Sequence, residues 1–161
     1  MTTCFFIGHR DASEEIRPLL ADAIERHIVL YGVTEFVVGH YGHFDSMAAA
    51  VVREAKKHHP NVKLVLLLPY FPDPRSDKLS HKFDVSYYPP GLEKVPKPFA
   101  IVKANEHMIK ISDYLICYNK GYVGKTRDFV EMALHREKLG YVHVENLANI
   151  PPTKDLQTAR S

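Results

Sequence analysis

The chain has 161 residues, enough for one domain with a sizeable hydrophobic core and too few for two. Its 21 basic and 19 acidic side chains leave a formal net charge of +2, which excludes a general electrostatic attraction to nucleic acid or to a membrane surface. We therefore expect one domain over residues 1–150, followed by a poorly ordered polar tail over residues 151–161.

Short apolar runs rich in β-forming residues recur along the chain, each bounded by glycine, proline, asparagine or a charged residue. They predict five strands at residues 3–7, 34–38, 63–68, 114–118 and 141–145. Their nearly continuous hydrophobicity is typical of parallel strands that are covered on both faces.

Stripes of apolar residues at helical spacing separate these runs. The first extends from Ile16 to Tyr31 after an acidic start, and the second runs from Phe44 to Ala55 and ends at basic residues and Pro60. Weaker stripes follow between residues 101 and 112 and between residues 129 and 134. The alternation predicts an α/β fold with a doubly wound, mainly parallel five-stranded Rossmann-like sheet and helices on both faces.

Residues 69–98 are the irregular part of the chain, because they contain seven of its eleven prolines. Long loops inside compact domains are usually functional or mobile. We expect this segment to cover a pocket, with residues 83–88 forming a short extra strand or a hairpin.

Glycine-containing loops follow the first, second and fourth predicted strands, at residues 8–10, 39–45 and 121–127. In the usual strand order, 3-2-1-4-5, these loops meet at one carboxyl edge of the sheet. Each loop precedes a predicted helix, whose first N–H groups and dipole attract an anion such as phosphate. The predicted ligand- and phosphate-binding residues are Gly8, His9, Arg10, Gly39, Gly42, Phe44, Asp45, Gly121, Gly124, Lys125 and Thr126.

The third loop is close to the phosphate-binding pattern G-x-x-x-x-G-K-[ST], with Asn119 where the first glycine belongs. That departure, and the position after the fourth strand, disfavour ATP or GTP hydrolysis but leave phosphate binding open. For both cations of these loops, the alternative to binding a ligand is a purely structural role. Lys125 could lie exposed on a tight turn, and Arg10 could pair on the surface with Asp11 or Glu14.

His40, His43 and Asp45 have the spacing H-x-x-H-x-D, which could bind a divalent metal with His9 nearby. Because this spacing is not a specific signature, no metal site is predicted. Asp45 could instead cap the second helix, bind a ribose hydroxyl or act as an acid or base, and it is the one candidate for a catalytic residue.

Four segments resemble the YpsA-like branch of the SLOG superfamily, which joins DprA/Smf-type and LOG-type proteins. These are CFFIGHR at residues 4–10, GHFDSMAA at 42–49, NEHM at 105–108 leading to SDYLI at 112–116, and GYVGKT at 121–126. The resemblance implies a Rossmann-like fold and a pocket for a nucleotide or a nucleotide-derived small molecule.

The sequence also departs from these relatives. Gly124-Lys125-Thr126 stands where glycine-glycine-threonine is expected, and Ala104 replaces an expected arginine. The catalytic glutamate of LOG-type phosphoribohydrolases has no counterpart, because Phe129 is the third residue after Thr126. Their catalytic assignment is therefore not transferred to this chain.

The leading hypothesis is a small sensor or binding protein for a nucleotide-derived ligand, with no other cofactor assigned. The alternative is a hydrolase or transferase acting on the N-glycosidic bond of a nucleotide. A third hypothesis, which rests only on analogy with DprA-type relatives, is an interaction module in DNA processing. We expect no membrane association and no direct nucleic-acid binding, and a homodimer is left open. Cys4 and Cys117 lie in apolar runs and no secretory pattern precedes them, which predicts a reducing cytoplasmic setting.

Overall fold

The computed structural model describes residues 1–149, so the tail predicted over residues 151–161 lies outside the described part of the chain. Its strands are β1 (Thr3–Gly8), β2 (Glu35–Val38), β3 (Lys63–Leu67), β4 (Val85–Tyr87), β5 (Tyr114–Tyr118) and β6 (His143–Asn146). They form one six-stranded sheet in the order β4-β3-β2-β1-β5-β6, and every pair is parallel. The predicted parallel α/β sheet is confirmed, with one strand more than expected.

The additional strand is β4, at the edge of the sheet beside β3. Its pairing is parallel, with Leu66 opposite Ser86, so the short-strand alternative is right and the hairpin is wrong. The strand is only three residues long, and Val85 and Ser86 are exposed. Such a short, half-polar segment between prolines carries little strand signal in the sequence.

The helices are α1 (Arg17–Val29), α2 (His43–Lys56), α3 (Pro74–Asp77), α4 (Ala100–Ile111) and α5 (Lys125–Lys138). The helices α1 and α2 pack on one face of the sheet, and α4 and α5 pack on the other. Alternate residues of β1 serve the two cores: Cys4 and Phe6 face the first pair of helices, while Phe5 and Ile7 face the second. Burial of both faces explains why the strand sequences are almost continuously apolar.

The order of the strands creates a switch point between β1 and β5. From β1 the chain adds β2, β3 and β4 on one side, and it then returns to add β5 and β6 on the other side. Ligands of doubly wound sheets bind in the crevice at the carboxyl ends of the strands beside such a point. Gly8 and Tyr118 are paired there, at the ends of β1 and β5.

Two further features concern the cysteines and the helices. Cys4 and Cys117 are buried, unpaired thiols, and burial raises the pKa of both. Within residues 1–149, none of the helices combines the length and apolar character needed to cross a membrane.

Candidate functional site

A cavity of about 180 Å³ lies at the carboxyl edge of the sheet, beside the switch point. Residues from all three glycine loops line it, so segments that are distant in the sequence meet at one place. The predicted binding residues in its wall are Gly8, Arg10, Gly39, Asp45, Lys125 and Thr126. His9, Gly42, Phe44, Gly121 and Gly124 lie outside the wall, and their surroundings give most of them a structural role.

Gly8 is required because the ring of Phe44 packs directly against it. A Cβ atom at position 8 would lie 2.3 Å from two ring carbons of Phe44. That ring is 1% exposed and packs between Phe6 and Tyr118, with centroids 6.4 Å from each. Phe44 is therefore a core residue that brings the start of α2 against the end of β1.

Gly42 lets the first two loops approach each other. It has a φ of +151°, and a Cβ atom there would lie 2.9 Å from the Cα atom of Arg10. The N–H of His43, the first residue of α2, donates to the carbonyl oxygen of Arg10 at 2.8 Å. This contact holds the backbone of Arg10 beside the N-terminus of α2.

Asp45 is a partly buried carboxylate in the cavity wall. Its Oδ2 atom accepts a hydrogen bond from the N–H of Tyr41 at 3.3 Å, and a Cβ atom at Gly39 would lie 2.9 Å from the same oxygen. Burial raises the pKa of Asp45 to about 6, although the N–H of Tyr41 and the charge of Arg10 both act to lower it. The site thus holds a carboxyl group that exchanges a proton close to neutral pH.

His9 connects the first loop to the third. Its Nε2 atom accepts a hydrogen bond from the N–H of Lys120 at 2.9 Å, and its ring centroid lies 5.1 Å from that of Tyr122. Burial lowers the pKa of His9, in keeping with a neutral ring that accepts at this nitrogen. The hydroxyl of Thr126 strengthens the connection by donating to the carbonyl oxygen of Gly8 at 3.4 Å.

Asn119 explains why the third loop does not follow a phosphate-binding P-loop path. Its Oδ1 atom accepts from the N–H of Gly121 at 3.0 Å, and its own N–H donates to Oδ1 of Asn146 at 3.0 Å. The loop is therefore tied to the end of β6, and the N–H of Gly121 is engaged within the loop. The anion-binding groups that remain here are Lys125 and the first turn of α5, whose N–H groups have no intrahelical acceptor.

The opposite wall of the cavity was missed by sequence reasoning. It comes from α4 and the first turns of α5, and it is mostly apolar: Ile101, Val102, Ala104, Asn105 and Phe129. Asn105 has a defined orientation, because its Nδ2 atom donates to the carbonyl oxygen of Ile101 at 2.8 Å. No periodicity in the sequence reveals which residues of α4 face a cavity, since that depends on how the helix packs.

The irregular segment 69–98 touches the site at its beginning. Pro69, two residues beyond the end of β3, lines the cavity, and the rule that sites lie at the carboxyl ends of parallel strands could have identified it. Further along, the guanidinium of Arg75 lies 4.5 Å from the ring centroid of Tyr41, which also lines the cavity. The segment that was expected to cover the pocket therefore contributes Pro69 to its wall, and its Arg75 packs against Tyr41 of the second loop.

The two histidines considered as metal ligands contact different acids. His40 Nε2 lies 3.4 Å from Asp73 Oδ2, whereas His43 Nε2 lies 2.6 Å from Glu14 Oε2. Over the described residues, no group of three histidine, cysteine, aspartate or glutamate side chains is arranged to hold a metal ion.

No protein-family model matches this sequence, and neither does any curated protein. The kind of ligand that the cavity can bind therefore follows from its geometry. One side carries the cations Arg10 and Lys125 near the N-termini of α2 and α5, and the other side is apolar with a single amide, Asn105. A ligand that fits has an anionic end and a less polar, hydrogen-bonding remainder.

Proposed function

We propose that this chain is a cytoplasmic binding or sensor protein of the YpsA-like branch of the SLOG superfamily, and that its ligand is a nucleoside monophosphate or a close derivative. The observation that carries the proposal is that Arg10 and Lys125, from loops at opposite ends of the sequence, line one cavity beside the first turn of α5. A phosphate group there receives charge-assisted hydrogen bonds from both side chains and from helix N–H groups.

The size of the cavity supports a small ligand that is partly enclosed. At about 180 Å³ it is smaller than the roughly 300–1,000 Å³ of pockets that enclose drug-sized ligands. A sugar phosphate fills such a space, and the base then extends along the apolar wall toward the open side. The carboxylate of Asp45 is an acceptor for a ribose hydroxyl.

Calorimetry with AMP, GMP, CMP and UMP tests the proposal. We expect at least one of them to bind, and the corresponding nucleoside without phosphate to bind far more weakly. In the double variant Arg10→Gln/Lys125→Gln the affinity should fall by about a hundredfold or more, because each hydrogen bond to a charged group contributes roughly 1.5–3 kcal/mol.

The matched control is the double variant Lys57→Gln/Lys138→Gln. It removes two positive charges from exposed positions at the far ends of α2 and α5, outside the cavity wall. This control should bind the nucleotide as the parent chain does. Equal affinity in the Arg10→Gln/Lys125→Gln variant, or equal binding of nucleoside and nucleotide, would contradict the proposed phosphate site.

The carboxyl group of Asp45 favours a second candidate function, hydrolysis of the N-glycosidic bond. In this reaction water supplies the oxygen that bonds to C1′ of the ribose, and the bond from C1′ to the base nitrogen breaks. A protonated Asp45 donates its proton to the leaving base, and the resulting carboxylate takes up the proton that the attacking water releases. A pKa of about 6 keeps part of the carboxyl population protonated near neutral pH.

Release of free base from the same nucleotides measures this activity. The hydrolase candidate predicts release in the parent chain and a loss of at least a hundredfold in Asp45→Asn, the range that general acid catalysis contributes. Binding without any base release would leave the sensor function as the better account.

A further inference from the structure

A second cavity, of about 130 Å³, adjoins the first at Gly39 and Asp45, which line both. It lies between α2 and the segment at residues 79–83, with Ala49 and Phe83 among its apolar walls. Its volume is on the order of ten times the roughly 10–15 Å³ that one water molecule needs. The space is therefore large enough for a small polyatomic group.

His40 is a buried polar side chain in the wall of this cavity that lacks hydrogen-bond partners. Its side chain is 3% exposed, and neither ring nitrogen has a hydrogen-bond partner among the described residues. The nearest polar group is Oδ2 of Asp73, 3.4 Å from Nε2 of His40; this contact is within ion-pair distance, but it lacks hydrogen-bond geometry and leaves Nδ1 without a partner. Because buried polar atoms are nearly always paired, His40 points to a ligand that completes its bonding.

Arg53 supplies a cation that is held in position beside the same cavity. Its Nη1 atom donates to the carbonyl oxygen of Lys82 at 3.3 Å, and its guanidinium lies 5.9 Å from the ring centroid of Phe83. Within residues 1–149, neither Arg53 nor Lys82 pairs with a carboxylate. The other N–H groups of the planar Arg53 guanidinium have the spacing to donate two parallel hydrogen bonds to two oxygens of one phosphate group.

We infer that the second cavity is a binding site for a phosphoryl group, held by Arg53, Lys82 and the ring N–H of His40. Arg53 and Lys82 have no carboxylate partner among the described residues and supply the positive charge that a phosphoryl group needs. The nearby carboxylates are already engaged: Asp45 accepts from the N–H of Tyr41 and also faces the first cavity, and Asp73 faces the ring of His40. The hydroxyl of Ser46 adds a further donor. Two sources have the required chemistry: inorganic phosphate, or a second phosphoryl group of the ligand in the first cavity.

Equilibrium dialysis with radiolabelled inorganic phosphate tests the site by its stoichiometry. The parent chain should bind two phosphates, the Arg10→Gln/Lys125→Gln variant one, and the triple variant with Arg53→Gln none. The phosphate lost in Arg10→Gln/Lys125→Gln tests the proposed function. The phosphate lost when Arg53→Gln is added tests only the new site. A parent chain that binds one phosphate, lost with Arg53→Gln, would remove the proposed function and retain this inference.

Two further variants complete the test: one is a charge control, and the other probes the second cavity without depending on whether Arg53→Gln folds. Lys57→Gln removes a positive charge from the exposed end of the same helix and should leave the stoichiometry unchanged. Lys82→Gln changes an exposed residue of the cavity and should weaken phosphate at the second site by at least tenfold, even where Arg53→Gln fails to fold. The inference is overturned when neither Arg53→Gln nor Lys82→Gln alters phosphate binding.

A comparison of nucleotides identifies the source of the phosphoryl group. This part rests on the proposed function, because it needs a nucleotide in the first cavity. When the group belongs to the ligand, a nucleoside 3′,5′-bisphosphate binds at least tenfold more tightly than the monophosphate, and Arg53→Gln removes that difference. When the source is inorganic phosphate, it binds alongside the monophosphate, and the bisphosphate has no advantage.

Discussion

Replacing Gly8 with alanine is expected to lower the free energy of unfolding by about 3 kcal/mol, the upper end of the usual cost of overpacking a core. The added Cβ atom would lie 2.3 Å from two ring carbons of Phe44. The ring cannot move aside, because Phe6 and Tyr118 pack against it. Urea unfolding followed by circular dichroism measures the change.

A second substitution tests whether the Phe44 ring is the cause. In Gly8→Ala/Phe44→Leu the smaller side chain leaves room for the new methyl group. The double variant should therefore be clearly more stable than the sum of the two single changes predicts. Strict additivity would mean that the cost of Gly8→Ala arises elsewhere, for example in the backbone of the first loop.

Replacing Asp45 with asparagine is expected to stabilise the fold at pH 8 by about 3 kcal/mol. The folded chain raises the pKa of this carboxyl from 3.8 to about 6, so burying its charge costs free energy. Because the folded state binds the proton more tightly, the parent chain loses stability as the pH rises from about 4 to about 6, and then remains at the lower level. Asparagine carries no charge and avoids this loss.

The measurement is a series of urea unfolding curves between pH 4 and pH 8. The advantage of Asp45→Asn over the parent should grow through that window and become constant above it. The matched control is Asp11→Asn, at an exposed position outside both cavity walls. The other charged and titratable groups that line the two cavities are Arg10, Lys125, Tyr41, His40, Arg53 and Lys82. Equal or lower stability of Asp45→Asn at pH 8 would show that the carboxylate is not strained by burial.

A stabilising change at Asp45 also has a functional meaning. Proteins commonly sacrifice stability where a site needs a buried, reactive or ligand-binding group. A residue that costs stability and lines the cavity does not serve folding, so its carboxyl group points to binding or proton transfer. The stability and base-release experiments on the same variant therefore complement each other.

Much of the fold could be read from local patterns. Continuous apolar runs predicted parallel strands, because both faces of each strand are buried, and the helical stripes predicted their crossovers. The ends of strands shifted by a few residues, as in β6, which begins at His143 and leaves Tyr141 exposed. The edge strand β4 was anticipated only as one of two alternatives, since three half-exposed residues carry no clear period.

The candidate site was predictable in outline and not in detail. Strand order and glycine loops indicated the carboxyl edge of the sheet, and Arg10, Asp45 and Lys125 line a cavity there. Phe44 was expected to contact the ligand but is buried in the core, since its side of α2 faces the sheet. His9 was expected to bind the ligand, and in the structure its ring nitrogen accepts from Lys120 instead.

The amino-acid sequence by itself determined the α/β alternation and the glycine positions in the loops after the strands, because these follow from periodicity and backbone conformation within short segments. Only the tertiary structure decided that α4 completes the cavity, that His40 is buried beside Asp73, and that a second cavity adjoins the first at Asp45. Those features arise where side chains from distant segments pack together, and no local pattern records which of them will meet.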